Sequence, residues 1–180
     1  GFTGQTLRQF IHRRWEPITM ASSTSRPHST ALSVRIAGAA DAAFIADCNV
    51  AMAFETEGKQ IDAALLRDGV AGLLARPQFG FYLIAELHGE AVGTLMVTYE
   101  WSDWRNGLFW WIQSVYVVAA ARRNGVYRAL YDEVKQLAQQ SSEPVCGFRL
   151  YVENDNRAAQ QTYAALGMQR CDYQIYQQGG

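Results

Sequence analysis

The sequence predicts a mixed α/β fold, a mostly antiparallel central sheet flanked by helices. Three observations predict it. Aromatic and β-branched runs of strand length crowd residues 79–118, and two of them are separated only by His88-Gly89. Two later segments carry apolar residues at helical spacing, each beside a shorter apolar run of strand length. The chain has 180 residues, 49% hydrophobic and 18% charged, which is enough for one domain with a core and too apolar for wholesale disorder.

Taken in order, Ser33-Val34-Arg35-Ile36 alternates polar and apolar and reads as a short strand. Asp41 precedes the helix formers Ala42-Ala43-Phe44-Ile45-Ala46 as an N-cap. A second helix is predicted over 61–75, with Ile61, Leu65, Val70, Leu73 and Leu74 near one face and Pro77 closing it. Residues 79–87 form a strand that His88-Gly89 turns into 91–99, a tight hairpin. A loop over 100–107 leads to a long strand, 108–118. Gly125 opens a helix reaching about Gln140, with Val126, Leu130, Val134 and Leu137 on one face. Residues 146–152 read as a strand. Asp155 caps a helix over 156–166, Gly167 supplies its left-handed end, and 172–176 is the last strand. An antiparallel meander is thus followed by strands joined through helices.

Charge and cysteine usage narrow the function. Sixteen Lys+Arg against seventeen Asp+Glu give −1, without the basic footprint of a nucleic-acid binder. No apolar run approaches the ~20 residues of a membrane-spanning helix. Neither nucleic acid nor membrane is therefore an expected partner, and the expected location is cytoplasmic. Cys48, Cys146 and Cys171 form no CxxC pair and read as small apolar residues in a reducing compartment. His12, His28 and His88 are scattered, so no metal site is expected. Residues 1–31 stand apart, with Arg8, Arg13, Arg14 and Arg26 against Glu16 and a Ser/Thr-rich stretch over 21–30. They read as an extension ahead of a 32–180 domain: a transit-peptide-like leader, vector-derived residues before a start at Met20, or a disordered arm. A short helix over 6–15 is possible within them.

The stretch from Val115 to Leu130 carries the first chemistry. A strand runs into a basic turn with one glycine, and the turn delivers its backbone N–H groups to a helix start. Those open donors, the helix dipole and Arg122, Arg123 and Arg128 suit a pyrophosphate. A solvated basic turn of purely structural use has the same pattern. It is not a nucleotide P-loop, because no Gly-Lys-Ser/Thr follows.

This segment resembles motif A of the GNAT acyltransferase superfamily, Arg/Gln-x-x-Gly-x-Gly/Ala, with Arg122 and Gly125 in place. Residues 151–168 resemble the family's motif B, with Asn156, Ala159, Tyr163 and Gly167 in register and Met168 where Phe is usual. The resemblance covers Leu32–Tyr176. It implies an N-acetyltransferase using acetyl-CoA as cosubstrate, and a pair of parallel strands, 113–118 and 146–152, that splay apart. Backbone near Val115, Tyr116 and Val117 would then pair with the pantetheine. Arg122, Arg123, Asn124, Gly125, Val126, Tyr127 and Arg128 would hold the pyrophosphate, and Asn154 and Asn156 would meet the CoA arm. Asn156 equally reads as a simple cap. Tyr127 departs from the motif, which has a small residue there, and is expected to turn its side chain away from the cradle.

By the same resemblance Tyr163 would protonate the departing thiolate; its bland reading is a core tyrosine on an amphipathic helix. A carboxylate base is expected for the amine, with Glu100 first and Asp103 and Glu55 behind it. Four tryptophans fall within 101–111. Trp110 and Trp111 must face opposite sides of a strand. Trp101, Trp104 and Trp111, with Glu55 and Asp103, are candidates for holding a cationic amine acceptor. The expected acceptor is a small-molecule primary amine attacking directly in a ternary complex. The alternatives are a peptide or protein amine, or a domain that binds CoA without catalysis. The aromatic patch could also be a homodimer surface.

Overall fold

His88 and Gly89 both take left-handed backbone, with φ of 55° and 85°. Paired left-handed residues match the twist of flanking strands, which is why this dipeptide closes the hairpin of β2 (Gly80–Leu87) and β3 (Glu90–Ser102). The computed structural model describes residues 32–179, so the expectations for 1–31 lie outside the described residues. β1 (Ser33–Ile36) pairs antiparallel with β2, and β4 (Gly107–Val117) pairs antiparallel with β3. β5 (Val145–Leu150) lies parallel to β4 at the edge, giving the order β1-β2-β3-β4-β5. This is the mixed sheet expected.

Two helices cover each face. α1 (Ala42–Glu57) and α2 (Ala63–Leu74) lie on one side, where Tyr82 and Ile84 meet Ile45, Ala46 and Val70. α3 (Val126–Gln139) lies on the other, where Val126, Leu130 and Val134 enter a core with Leu83, Leu95, Val97, Trp110 and Ile112. Leu130 and Val134 are wholly excluded from solvent, and each such side chain contributes about 1.5–3 kcal/mol by burial. α4 (Arg157–Ala165) follows β5, with Leu166 and Met168 packed against the same core.

Four expectations are corrected. The loop over 100–107 shrinks to a turn, because β3 runs to Ser102 and β4 begins at Gly107. Glu100 and Trp101 are therefore strand residues, paired with Phe109 and Leu108. Asn156, not Asp155, caps α4: its Oδ1 accepts from the Ala159 N–H at 3.0 Å. Asp41 does not cap α1 with its side chain; its carboxylate accepts from the Gly38 N–H at 2.7 Å and is gripped by Arg35. Residues 172–176 form no strand, having no paired neighbour, and Tyr173, Ile175 and Tyr176 stand exposed. Among the described residues no helix is long and apolar enough to cross a membrane, and no group of three His, Cys, Asp or Glu is placed to hold a metal ion.

Candidate active site

β4 and β5 pair only from Leu108/Val145 to Ile112/Leu150. Beyond that point β4 continues through Val117 with no β5 partner, so the two parallel strands part at the middle of β4. A left-handed Ser114, φ 45°, interrupts β4 there, and its register with β3 shifts between Thr94 and Met96. Such a bulge adds twist and turns the strand. Val115, Tyr116 and Val117 lie in this unpaired stretch.

The chain then makes a one-turn helix, Ala119–Ala121, and a sharp loop with Arg123 at φ 66° and Gly125 at φ 77°. Asn124 staples the loop through its amide, which donates to the Ala121 and Arg122 carbonyls at 3.3 and 3.4 Å. No side chain caps α3 at Gly125. By helix geometry the N–H groups of Val126, Tyr127 and Arg128 have no carbonyl within the helix and point out of its end. A cleft of about 400 Å³ opens on them, lined by Val117, Ala121, Arg122, Arg123, Gly125, Val126, Tyr127 and Arg128. Thr162 and Ala165 of α4, with Leu166 just after it, form its other wall. Those three were not singled out from sequence, although they fall at helical spacing inside motif B.

The Tyr127 ring packs into the core between α3 and α4, stacked on Tyr131 at 6.4 Å and edge-on to Tyr163 at 5.8 Å, and the residue also lines the cleft. Its hydroxyl is buried without a partner among the described residues, and burial raises its pKa. Tyr163 is half-buried, and burial raises its pKa too. A phenol in that state is protonated at neutral pH, so it holds a proton to give. Asn156 is committed to its cap, and the Asn154 carbonyl accepts from the Gln160 amide at 2.9 Å.

Arg122 is not free in the cleft. Its Nε donates to the Val117 carbonyl at 3.0 Å and a terminal nitrogen meets the Glu55 carboxylate at 2.6 Å. Its guanidinium lies over the Tyr116 ring, and the Tyr116 hydroxyl donates to the second Glu55 oxygen at 2.7 Å. These hydrogen bonds hold Glu55 below the usual carboxylate range. Glu55 thus ties the last turn of α1 to the end of β4 and the loop that follows it.

On the other side of the sheet, Trp111 faces away from Trp110, which is buried under α3. Trp111 Nε1 donates to one oxygen of Glu100, and Arg149 meets the other at 2.6 Å. The Arg149 guanidinium lies 3.7 Å from the centre of the Phe109 ring, and Tyr151 packs on Trp111 at 4.6 Å. Phe109, Arg149 and Tyr151 were missed in the sequence, where nothing local marks them. Asp103 accepts from the Trp104 N–H at 2.9 Å. Trp101 is 54% exposed and Trp104 87%, standing out at the β3–β4 turn instead of walling a pocket.

A family model described as the acetyltransferase (GNAT) family matches residues 43–168. A solved structure of a possible acetyltransferase from Clostridium difficile 630 is 41% identical, with a TM-score of 0.77 over 83% of this chain and 98% of that one. A predicted acetyltransferase from Clostridium acetobutylicum, solved with acetyl-CoA, is 18% identical with a TM-score of 0.66 over 82% and 96%. A ribosomal-protein-alanine N-acetyltransferase from Brucella melitensis biovar Abortus 2308 is 17% identical, with a TM-score of 0.66 over 83% and 99%. These last two share the fold. No curated protein matches significantly. The family match spans the parted strands, the cleft and both motif segments, and the chain belongs to the GNAT acetyltransferase family as an N-acetyltransferase.

Proposed function

We infer that the protein transfers acetyl from acetyl-CoA to the primary amine of a small molecule, by direct attack within one ternary complex. The observation that carries this reading is the parting of β4 from β5 beside the uncapped start of α3. The open α3 amides, with Arg123 and Arg128 beside them, suit a pyrophosphate. The edge of β4 around Val115, which β5 leaves uncovered, suits the amides of the pantetheine arm, and one strand N–H there would polarise the thioester carbonyl.

In the transfer the amine nitrogen bonds to the acyl carbon, the C–S bond breaks, and the sulfur leaves with the electron pair. Tyr163 is the proton donor to that sulfur. The base is less well served. Glu100, Asp103 and Glu55 each already accept hydrogen bonds, and oxygens so engaged are not open to an incoming amine. Proton loss to water in the open groove fits these contacts better than transfer to Glu100.

Calorimetry with acetyl-CoA and desulfo-CoA tests the reading. Micromolar binding, about −8 kcal/mol, is expected for both. Tyr163→Phe should keep that affinity while thiol release with an accepted amine falls by about a hundredfold. Failure to bind acetyl-CoA would overturn the reading, and full activity in Tyr163→Phe would remove the proton donor from it.

A further inference from the structure

The cosubstrate cleft lies on the α3/α4 side, so an acyl group carried through the gap between β4 and β5 emerges on the opposite face. That face carries Trp111 and Arg149, paired in register one step before the strands part at Ile112/Leu150. The groups that await an acceptor there are thus not the free acids a polyamine would need. Glu100 is neutralised: one oxygen is taken by Trp111 and the other by Arg149. Arg149 keeps most of its donors. One terminal nitrogen serves Glu100, while Nε and the second terminal nitrogen have no partner among the described residues. Its side chain is 33% exposed.

The guanidinium is also held still. Its central carbon stands 3.7 Å from the centre of the Phe109 ring, and Gly147 stands opposite that ring, where an added Cβ would come within 3.2 Å of it. A planar cation held over a ring and by one ion pair, with an unused donor edge, matches a carboxylate in geometry and charge. We propose that Arg149 is a specificity residue that binds the carboxylate of the acceptor, and that the acceptor is therefore a small amino acid rather than a polyamine or other purely cationic amine. The Trp111–Tyr151 pair offers apolar surface beside that edge for the acceptor's side chain. Glu100 orients Arg149. The inference rests on the acetyltransferase reading above.

The test is thiol release from acetyl-CoA by the full chain. The acceptors are the free L-amino acids, their matched amides and decarboxylated amines, and spermidine. At least one amino acid should exceed its own amide by about tenfold or more in kcat/KM, the scale of a lost charge-assisted hydrogen bond. Arg149→Gln should raise the KM for that amino acid by about tenfold while leaving acetyl-CoA affinity within about twofold, and Arg149→Lys should recover part of the loss. The acid–amide comparison uses the unaltered protein, so it stands even where a variant fails to fold. Equal use of acids and amides, preference for spermidine, or turnover of no carboxylate-bearing amine would overturn the inference alone. Absence of acetyl-CoA binding would overturn the acetyltransferase reading, and this one with it.

Discussion

Arg122 and Arg149 each give one guanidinium nitrogen to a glutamate and lie on an aromatic ring, yet the two are placed for different work. Arg122 binds the Val117 carbonyl as well as Glu55, so it braces the loop against β4 and α1. If bracing is its main use, Glu55→Gln and Arg122→Gln remove the same arrangement. Each should weaken acetyl-CoA binding by about two- to fivefold, and the double variant should be no worse than either, measured as a double-mutant cycle by calorimetry. A larger, independent loss from Arg122→Gln would mean that the guanidinium touches phosphate. These partnerships were not legible in the sequence. Glu55 and Arg122 are 67 residues apart, Glu100 and Arg149 are 49, and no local pattern tells one surface carboxylate from another until the strands are laid side by side. The bend of the loop from Arg122 to Arg128 into the start of α3 was legible, because it is set by neighbouring residues, Gly125 above all.

At the scale of elements, α4 depends on a side chain at its start. Asn156 satisfies the Ala159 N–H, and the helix it opens presents Tyr163 and the cleft wall. Asn156→Ala should cost about 1 kcal/mol in urea unfolding and should weaken acetyl-CoA binding in proportion to the fraying of that turn. Helix and hairpin positions followed the sequence closely, since His88-Gly89 and the Val126-Leu130-Val134 stripe act through nearest neighbours. Strand ends followed it less well. Glu100 looks like a loop residue until Trp111 and Arg149 satisfy its charge, which lets β3 extend beneath it. Residues 172–176 alternate like a strand, but alternation makes a strand only where a neighbouring edge is in reach.

Across the whole molecule, Arg35 gathers β1, β2 and the approach to α1 into one ionic knot. It binds both oxygens of Asp41 at 2.8 Å and Glu86 at 2.7 Å. The Arg35 contact holds the Asp41 carboxyl below its ordinary value near 3.8. A carboxyl with a depressed folded-state pKa stabilises the protein above its unfolded pKa, and that contribution is lost as pH falls through the folded value. Unfolding midpoints in urea should therefore hold at about pH 6 and drop as pH falls below the unfolded value near 3.8, and Asp41→Asn should start lower at about pH 6 but fall less steeply. The parting of β4 and β5 has a consequence of another kind. Because β4–β5 pairing stops at Ile112/Leu150, this edge of the sheet is a zipper left half drawn, with no rungs between the two strands beyond that point. Backbone amides after Leu150 should trade their protons for deuterons far sooner than those of 108–112. Acetyl-CoA seated between the strands should slow that trade, acting for the duration of a turnover as one more strand of the sheet.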